Sequence, residues 1–342
     1  MNFLPKYTIS NQLLKNIKEV NKVIVELNNK RFPNPILYKL NSQANTLSTY
    51  ASTSIEGNNL RLTEVKKLLK SNPKNIKDTQ REVLNYNEAL EFLNSGIKDK
   101  SIRLNNTLIQ KTHRLVTKKL LLEGNCGKYR EDSVVVHNPL TREIVYLPPD
   151  YKDVKKLMNT LLSYIKKNKE NIDPLILAGI FHKQFVLIHP FMDGTGRTCR
   201  LVTKVLLADL GIDTFELFSF ENFYNQDVTK YFSLVGEQGS YYDLENKIDF
   251  TSWLEYFTEG ILEEILRVKE ILEDKELTPE YTILKDHNRM LEYIKMNGFI
   301  TDRKYAELTD RAKATRVTDF NKLIALGLIE RKGKGRSTYY TF

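Results

Sequence analysis

Between two strongly apolar helical runs lies a polar twelve-residue stretch, His189-Pro190-Phe191-Met192-Asp193-Gly194-Thr195-Gly196-Arg197-Thr198-Cys199-Arg200. Asp173-Pro174 starts the first run, an acceptor at the helix N-cap followed by proline at the first helical position. That helix is predicted to reach about Ile188 and to deliver His189. The second begins near Gly196 and runs through Leu201, Val202, Val205, Leu206 and Leu210 to a stop at Gly211. Helices apolar on most sides belong in a core, so the stretch is a loop mounted on two interior helices. Its contents suit phosphate chemistry. Glycines let backbone N–H groups approach an anion, and the following helix points its positive end at the same place. An imidazole with an ordinary pKa near ~6.5 can accept a proton at neutral pH, and a carboxylate can hold Mg²⁺ against phosphate oxygens.

The rest of the chain reads as mostly helical. Helices are predicted over 11–28, 36–54, 62–69, 78–93, 107–117, 150–167, 225–237 and 250–274. Two β-branched runs, 133–136 and 144–147, read as a lone hairpin closed off by Pro148-Pro149. The fold class is therefore all-α with one β-hairpin. Expected boundaries are an N-terminal helical region 1–100, a core 101–274, a linker 275–286 and a C-terminal domain 287–342. With 342 residues there is room for that many units. No apolar run is long enough to span a bilayer and no basic-then-apolar leader opens the chain, so the expectation is a cytoplasmic protein without membrane contact. Cys126 and Cys199 fit neither a disulfide framework nor a zinc pattern and read as packing residues. Of the net charge of +9, residues 281–342 contribute +6, with 13 Lys+Arg against 7 Asp+Glu. That concentration points to nucleic acid or an acidic partner.

The stretch from His189 to Arg200 resembles the signature of the Fic family, His-Pro-Phe-x-Asp/Glu-Gly-Asn-Gly-Arg-x-x-Arg. It matches at His189, Phe191, Asp193, Gly194, Gly196, Arg197 and Arg200. The resemblance covers most of residues 48–274 and implies a Fic-type helical core with the hairpin as a target-docking flap. It also implies a nucleotidyltransferase that moves AMP from ATP to a hydroxyl of a protein. His189 would be the general base, Asp193 the Mg²⁺ ligand, Gly194, Thr195 and Gly196 the backbone cradle, and Arg197 the neutraliser of the leaving diphosphate. Phe191 is counted with the nucleotide site but reads as a wedge that fixes the loop. Thr195 departs from the family's asparagine, and a β-branched residue tolerates positive φ poorly. This puts nucleotide choice, metal geometry and rate in question.

Ser52-Thr53-Ser54-Ile55-Glu56-Gly57 resembles the family's inhibitory motif. Ser52 and Glu56 lie one helical turn apart. The resemblance implies that Glu56 pairs with Arg200, which would otherwise clamp the γ-phosphate of ATP. Tyr231 resembles a tyrosine that the family places near the nucleotide base, and reads equally as helix core. His113 and His182 sit at core spacing and read as satisfied structural histidines. The tail resembles a winged helix-turn-helix, with helices at 288–297, 301–308 and 312–326 and wing strands at 328–331 and 337–340. Its third helix is basic through Arg311, Lys313 and Arg316, and phosphate contacts are expected from the wing around Lys332-Gly333-Lys334-Gly335-Arg336. The partners expected are thus a target protein on hairpin 133–147, DNA at the tail, and a second copy as the default oligomer. The rival reading is a nucleotide-sensing DNA-binding regulator with a weak or inactive core. A nearer one is another Fic-like chemistry: transfer of phosphocholine, phosphate or UMP, or removal of AMP.

Overall fold

The computed structural model describes residues 3–29, 32, 34–71, 73, 75–137, 143–212, 219–273 and 284–342. Helices α1 (Asn11–Asn29) and α2 (Asn34–Ile55) lead into α3 (Leu62–Leu69), α4 (Asp78–Lys98) and α5 (Asn106–Thr117). Strands β1 (Val136–His137) and β2 (Ile144–Leu147) precede α6 (Tyr151–Asn168), α7 (Pro174–Ile188) and α8 (Thr195–Asp209). There follow α9 (Phe220–Gln226), α10 (Val228–Val235), β3 (Gly239–Ser240), the one-turn α11 (Tyr241–Leu244) and α12 (Thr251–Glu273). The tail holds α13 (Lys285–Asn297), α14 (Asp302–Leu308), α15 (Lys313–Ala325), β4 (Glu330–Lys332) and β5 (Tyr339–Thr341). The chain divides into two compact units, residues 1–26 with 44–267 and residues 27–43 with 268–342. The boundary expected at residue 100 falls inside the first unit, and most of the expected linker lies outside the described residues. No described helix is long and apolar enough to cross a membrane.

In the first unit α7 is the axis. All but two of its residues are buried, which is what a helix apolar on every side requires. Asp173 caps it by accepting from the Leu175 N–H at 2.9 Å, with Pro174 at the first position. Helix α8 packs beside α7, with α4 and α5 on its other side through Tyr86, Leu90, Leu93, Leu108, Val116, Leu201 and Val205. Helix α12 docks on α7 where Gly179 removes a side chain: Trp253 Nε1 donates to the Gly179 carbonyl at 2.8 Å, and Leu254 and Phe257 fill the space.

Three expectations need correction. The hairpin is not alone, because β2 also pairs in parallel with β3 (Tyr146 with Gly239, Leu147 with Ser240), making β2 the middle strand. A two-residue strand carries no periodicity to read. The turn of this hairpin, residues 138–142, lies outside the described residues. The single helix expected over 225–237 is two, broken at Asp227. That residue takes an extended backbone and caps α10 by accepting from the Lys230 N–H at 2.9 Å. The strands of the tail begin two residues later than expected, because Leu328 and Ile329 turn inward to the second unit's core beside Met290, Ile294, Tyr305, Phe320 and Leu323. In that unit Arg311 and Arg316 do not stand open to a ligand. Arg311 pairs with Asp286 at 3.1 Å and Asp319 at 2.5 Å, and Arg316 with Asp302 at 2.8 Å.

His113 and His182 are buried and satisfied, as their spacing suggests. His182 Nε2 meets the Tyr231 hydroxyl at 3.1 Å and its Nδ1 the Thr203 hydroxyl at 3.2 Å. Burial lowers His182 to about 3 and His113 to about 4. Both are therefore neutral in the folded protein while an unfolded histidine titrates near 6.5. The unfolded state binds the extra protons, so stability is complete above that value and is lost as pH falls through it. Between pH 6.5 and 5 the unfolding free energy is expected to drop on the order of 1 kcal/mol per histidine per pH unit, measured by urea denaturation; a flat profile in that window contradicts the assignment. Gly179→Ala is expected to destabilise the protein despite alanine's better helix propensity. Its Cβ would lie 2.6 Å from Leu254 Cδ2, an overpacking worth roughly 1–3 kcal/mol against a propensity gain of at most ~1. An unchanged or raised midpoint of denaturation contradicts this.

Candidate active site

The motif loop is held from below and from both sides. The Phe191 ring is fully buried and stacks flat on His113, centroids 3.7 Å apart. It is the wedge the sequence suggests and is not open to a nucleotide. His113 accepts from the Gly127 N–H through Nδ1 at 2.9 Å, so its Nε2–H donates to the Asp193 carbonyl, also at 2.9 Å. Arg130 completes the frame: its backbone N–H donates to the Pro190 carbonyl and its Nε to the His189 carbonyl, at 2.9 and 2.8 Å. Neither clamp carries a sequence pattern, since each bridges tens of residues between unrelated segments.

Within that frame the backbone takes two left-handed turns. His189 caps α7 at φ 49°, and Gly194 caps α8 at φ 77°. A non-glycine residue held in this region is uncommon and marks sites where surrounding structure over-determines the backbone. A side chain at Gly194 would also meet Thr117 Cγ2 at 2.9 Å. Thr195, by contrast, is the first residue of α8 and has no positive φ. The difficulty expected for a β-branched residue at this position does not arise, and its hydroxyl donates to the Phe191 carbonyl at 3.3 Å.

His189 is buried, and that burial, with the charge of Arg130 second, lowers it to about 4. The imidazole is neutral at pH 7 and able to accept a proton. At the start of α8 the first N–H groups have no partner inside the helix. Three buried polar atoms among the described residues lack any hydrogen bond: His189 Nδ1, Arg197 Nε and Thr198 Oγ1. All three belong to the motif. Buried polar atoms left unpaired are costly, and here they concentrate in the loop and the first turn of the helix that follows it.

Each motif arginine is already engaged. Arg197 is bound through Nη2 to Asp193 Oδ1 at 2.8 Å and through Nη1 to Glu82 Oε1 at 2.5 Å. Asp193 Oδ1 also accepts from the Gly194 N–H at 2.6 Å. Arg200 is wholly buried; its Nη2 donates to Glu56 Oε1 at 2.7 Å and to the Ser52 carbonyl at 2.9 Å, and its Nε to the Ser52 hydroxyl at 2.7 Å. Burial opposes the Arg200 charge, but Glu56, with Tyr231 and Tyr86, holds its pKa above the ordinary value. Ser52 and Glu56 therefore meet Arg200 as expected, and Glu56 lies so close to Gly196 that any side chain there would strike its carboxylate. Tyr231 is buried among Tyr224, Trp253 and Phe232, with its hydroxyl 3.4 Å from Arg200 Nη1. Of its two readings, helix core describes its place. Cys199 and Cys126 are both buried packing residues.

Residues 102–207 match the Fic/DOC family model. The chain is 33% identical over 168 residues to the protein adenylyltransferase Fic of Nematostella vectensis, covering 47% of this chain and 37% of that protein. It is 27% identical over 221 residues to the one from Aedes aegypti, covering 58% and 42%. The chain thus spans less than half the length of the curated relatives it matches. A Fic family protein from Desulfovibrio desulfuricans G20 superposes with a TM-score of 0.64 at 19% identity, covering 99% of this chain and 98% of that one. Fic-1 of C. elegans superposes at 0.60 and 21% identity, covering 77% and 74%. At such identities the structures speak for the fold alone. The neutral buried histidine, the two left-handed caps and the paired arginines all fall inside the segment that matches the Fic/DOC family model.

Proposed function

We propose that this chain is a protein adenylyltransferase, transferring AMP from ATP to a Ser, Thr or Tyr hydroxyl of a target protein or of itself, and that Glu56 restrains it through Arg200. The observation that carries this reading is a neutral imidazole beside a helix start whose two arginines are both occupied by carboxylates of the chain itself. The curated relatives of the domain bear the adenylyltransferase name.

In this reading the His189 imidazole takes the proton of the incoming hydroxyl. The hydroxyl oxygen bonds to the α-phosphorus while the bond to the β-phosphate's bridging oxygen breaks, and pyrophosphate leaves. Arg197 and the unpaired N–H groups at the start of α8 face the charge that gathers on the leaving group. Such transfers depend chiefly on positioning and electrostatics. Mg²⁺ fits the residues present: the Asp193 side chain is half exposed on the loop, and no described cluster of three or more His, Cys, Asp or Glu side chains competes for a metal. Mg²⁺ is commonly held by one carboxylate plus substrate phosphates, and when bound would neutralise charge across the phosphate oxygens. With Glu56 on Arg200, the γ-phosphate has no clamp there, and ATP lies in an unproductive pose.

A target segment would lie along the ribbon of residues 133–147, where main-chain pairing brings an extended peptide to a sheet. We rank the DNA-binding regulator second. The tail carries three helices and a two-stranded ribbon, yet two of the three basic side chains of its third-helix region, Arg311 and Arg316, are neutralised by carboxylates.

Incubation with ATP labelled at the α-phosphate tests the activity. Glu56→Gly is expected to raise protein-bound label by about tenfold or more over the parent chain. Adding His189→Ala should remove a factor of ~10²–10⁴. Incorporation from γ-labelled ATP only, or no change with either variant, overturns the reading.

A further inference from the structure

Two carboxylates approach the motif arginines, yet they take hold of them differently. On Arg200 the side edge of the guanidinium, formed by Nε and Nη2, is consumed. Nε is on the Ser52 hydroxyl, and Nη2 is on Glu56 and the Ser52 carbonyl. That edge is the fork with which arginine receives a carboxylate or phosphate through two parallel bonds. On Arg197 the same edge is only half taken. Its Nε is buried without a partner, and its Nη2 is held only by Asp193, a half-exposed side chain on the loop. Glu82 takes Nη1 alone, the nitrogen turned away from the fork.

We infer that Glu82 is a positioning residue for Arg197: it fixes the guanidinium from behind so that the Nε–Nη2 edge faces the phosphates of a bound nucleotide. This rests on the nucleotide reading of the site given above and adds a residue outside the signature. In that reading Asp193 would hold Mg²⁺, and Nη2 would be free of it. The fork then has both donors available, and Glu82 alone keeps the side chain in place.

Glu82 is built for such a task. It sits in α4, well inside the helix, and its side chain is 16% exposed. Its second oxygen accepts from Asn58 Nδ2 at 2.6 Å, so both oxygens are fixed. Asn58 in turn donates to the Thr79 carbonyl at 2.8 Å and accepts from the Leu60 N–H at 3.1 Å, tying the turn after Gly57 to α4. Burial raises the Glu82 pKa, with Arg197 and Asn58 working against that rise. Arg197 itself is nearly buried, and a buried guanidinium needs a compensating anion whether or not a nucleotide is present. Glu82 meets that need without occupying the face a phosphate would use. Glu56 does occupy it on Arg200, and this difference separates a support from a restraint.

The test uses the full chain carrying Glu56→Gly as parent, so that the restraint on Arg200 is absent from every arm. Calorimetry reads the Kd of Mg·ATP, and labelling reads kcat and KM. Glu82→Ala is expected to weaken Mg·ATP binding by about tenfold or more and to lower kcat as well. Glu82→Gln keeps an oxygen for Nη1 but loses the charge, and its Kd should fall between those of the parent and Glu82→Ala. With Arg197→Lys, which has no fork to orient, adding Glu82→Ala should cost less than about threefold in Kd; this arm does not depend on turnover. Equal or tighter binding by Glu82→Ala overturns the inference, as does an equal loss with and without Arg197→Lys. If no variant labels any protein while this order of Kd values holds, the transferase reading fails and the role of Glu82 stands.

Discussion

The buried guanidinium of Arg200 organises the first unit. A charge with no exposed surface must be matched, and the match comes from 144 residues away, from Glu56 in the turn just after α2. Removing one partner of such a pair typically costs roughly 3–5 kcal/mol, so the site is not free to sit empty. It holds either an internal carboxylate or an anion brought from outside. The contact has depth as well. One turn further along α8, Lys204 Nζ binds the Ser48 hydroxyl at 2.6 Å and Glu221 at 3.0 Å. Ser48, Ser52 and Glu56 thus form a stripe at four-residue spacing that meets two cations at the same spacing on α8. Helix α2 is fixed in register by this ladder, and Glu56 at its end is the rung nearest the motif loop.

The same economy governs the loop. Three supports from two separate segments bear on it: the flat stack of His113 under Phe191, the His113 bond to the Asp193 carbonyl, and the Arg130 bonds to the carbonyls of His189 and Pro190. They hold the left-handed backbone at His189, which no local preference of histidine would maintain. Burial by this frame also keeps the imidazole neutral. Positioning and proton affinity come from one set of contacts, so the two cannot be tuned separately by a change at Phe191, His113 or Arg130.

Much of this was legible in the order of residues. The apolar runs of α7 and α8, the Asp173-Pro174 start and the glycine at position 194 are local signals, and they placed the loop between core helices. Ser52 and Glu56 could be paired with Arg200 only through a resemblance, since spacing within α2 says nothing about α8. Glu82, Asn58 and Arg130 left no trace, because a single Glu, Asn or Arg in a charged chain reads as surface. Their roles come from which segments the fold brings together. Thr195 shows the opposite failure. Its β-branch suggested strain, yet the residue starts a right-handed helix and carries none. In the tail, charge counting placed basic residues on α15 but could not see Asp286, Asp302 and Asp319 folded against Arg311 and Arg316.

The central claim is that Glu56 stands where the terminal phosphate of ATP would bind Arg200. Comparing Mg·ATP and Mg·ADP affinities by calorimetry, in the native chain and in Glu56→Gly, measures that directly, since the two ligands differ only by the γ-phosphate. The account predicts similar affinities for both in the native chain, and a preference for ATP that grows by about tenfold or more when Glu56 is removed. An ATP-to-ADP ratio unchanged by the substitution would contradict it.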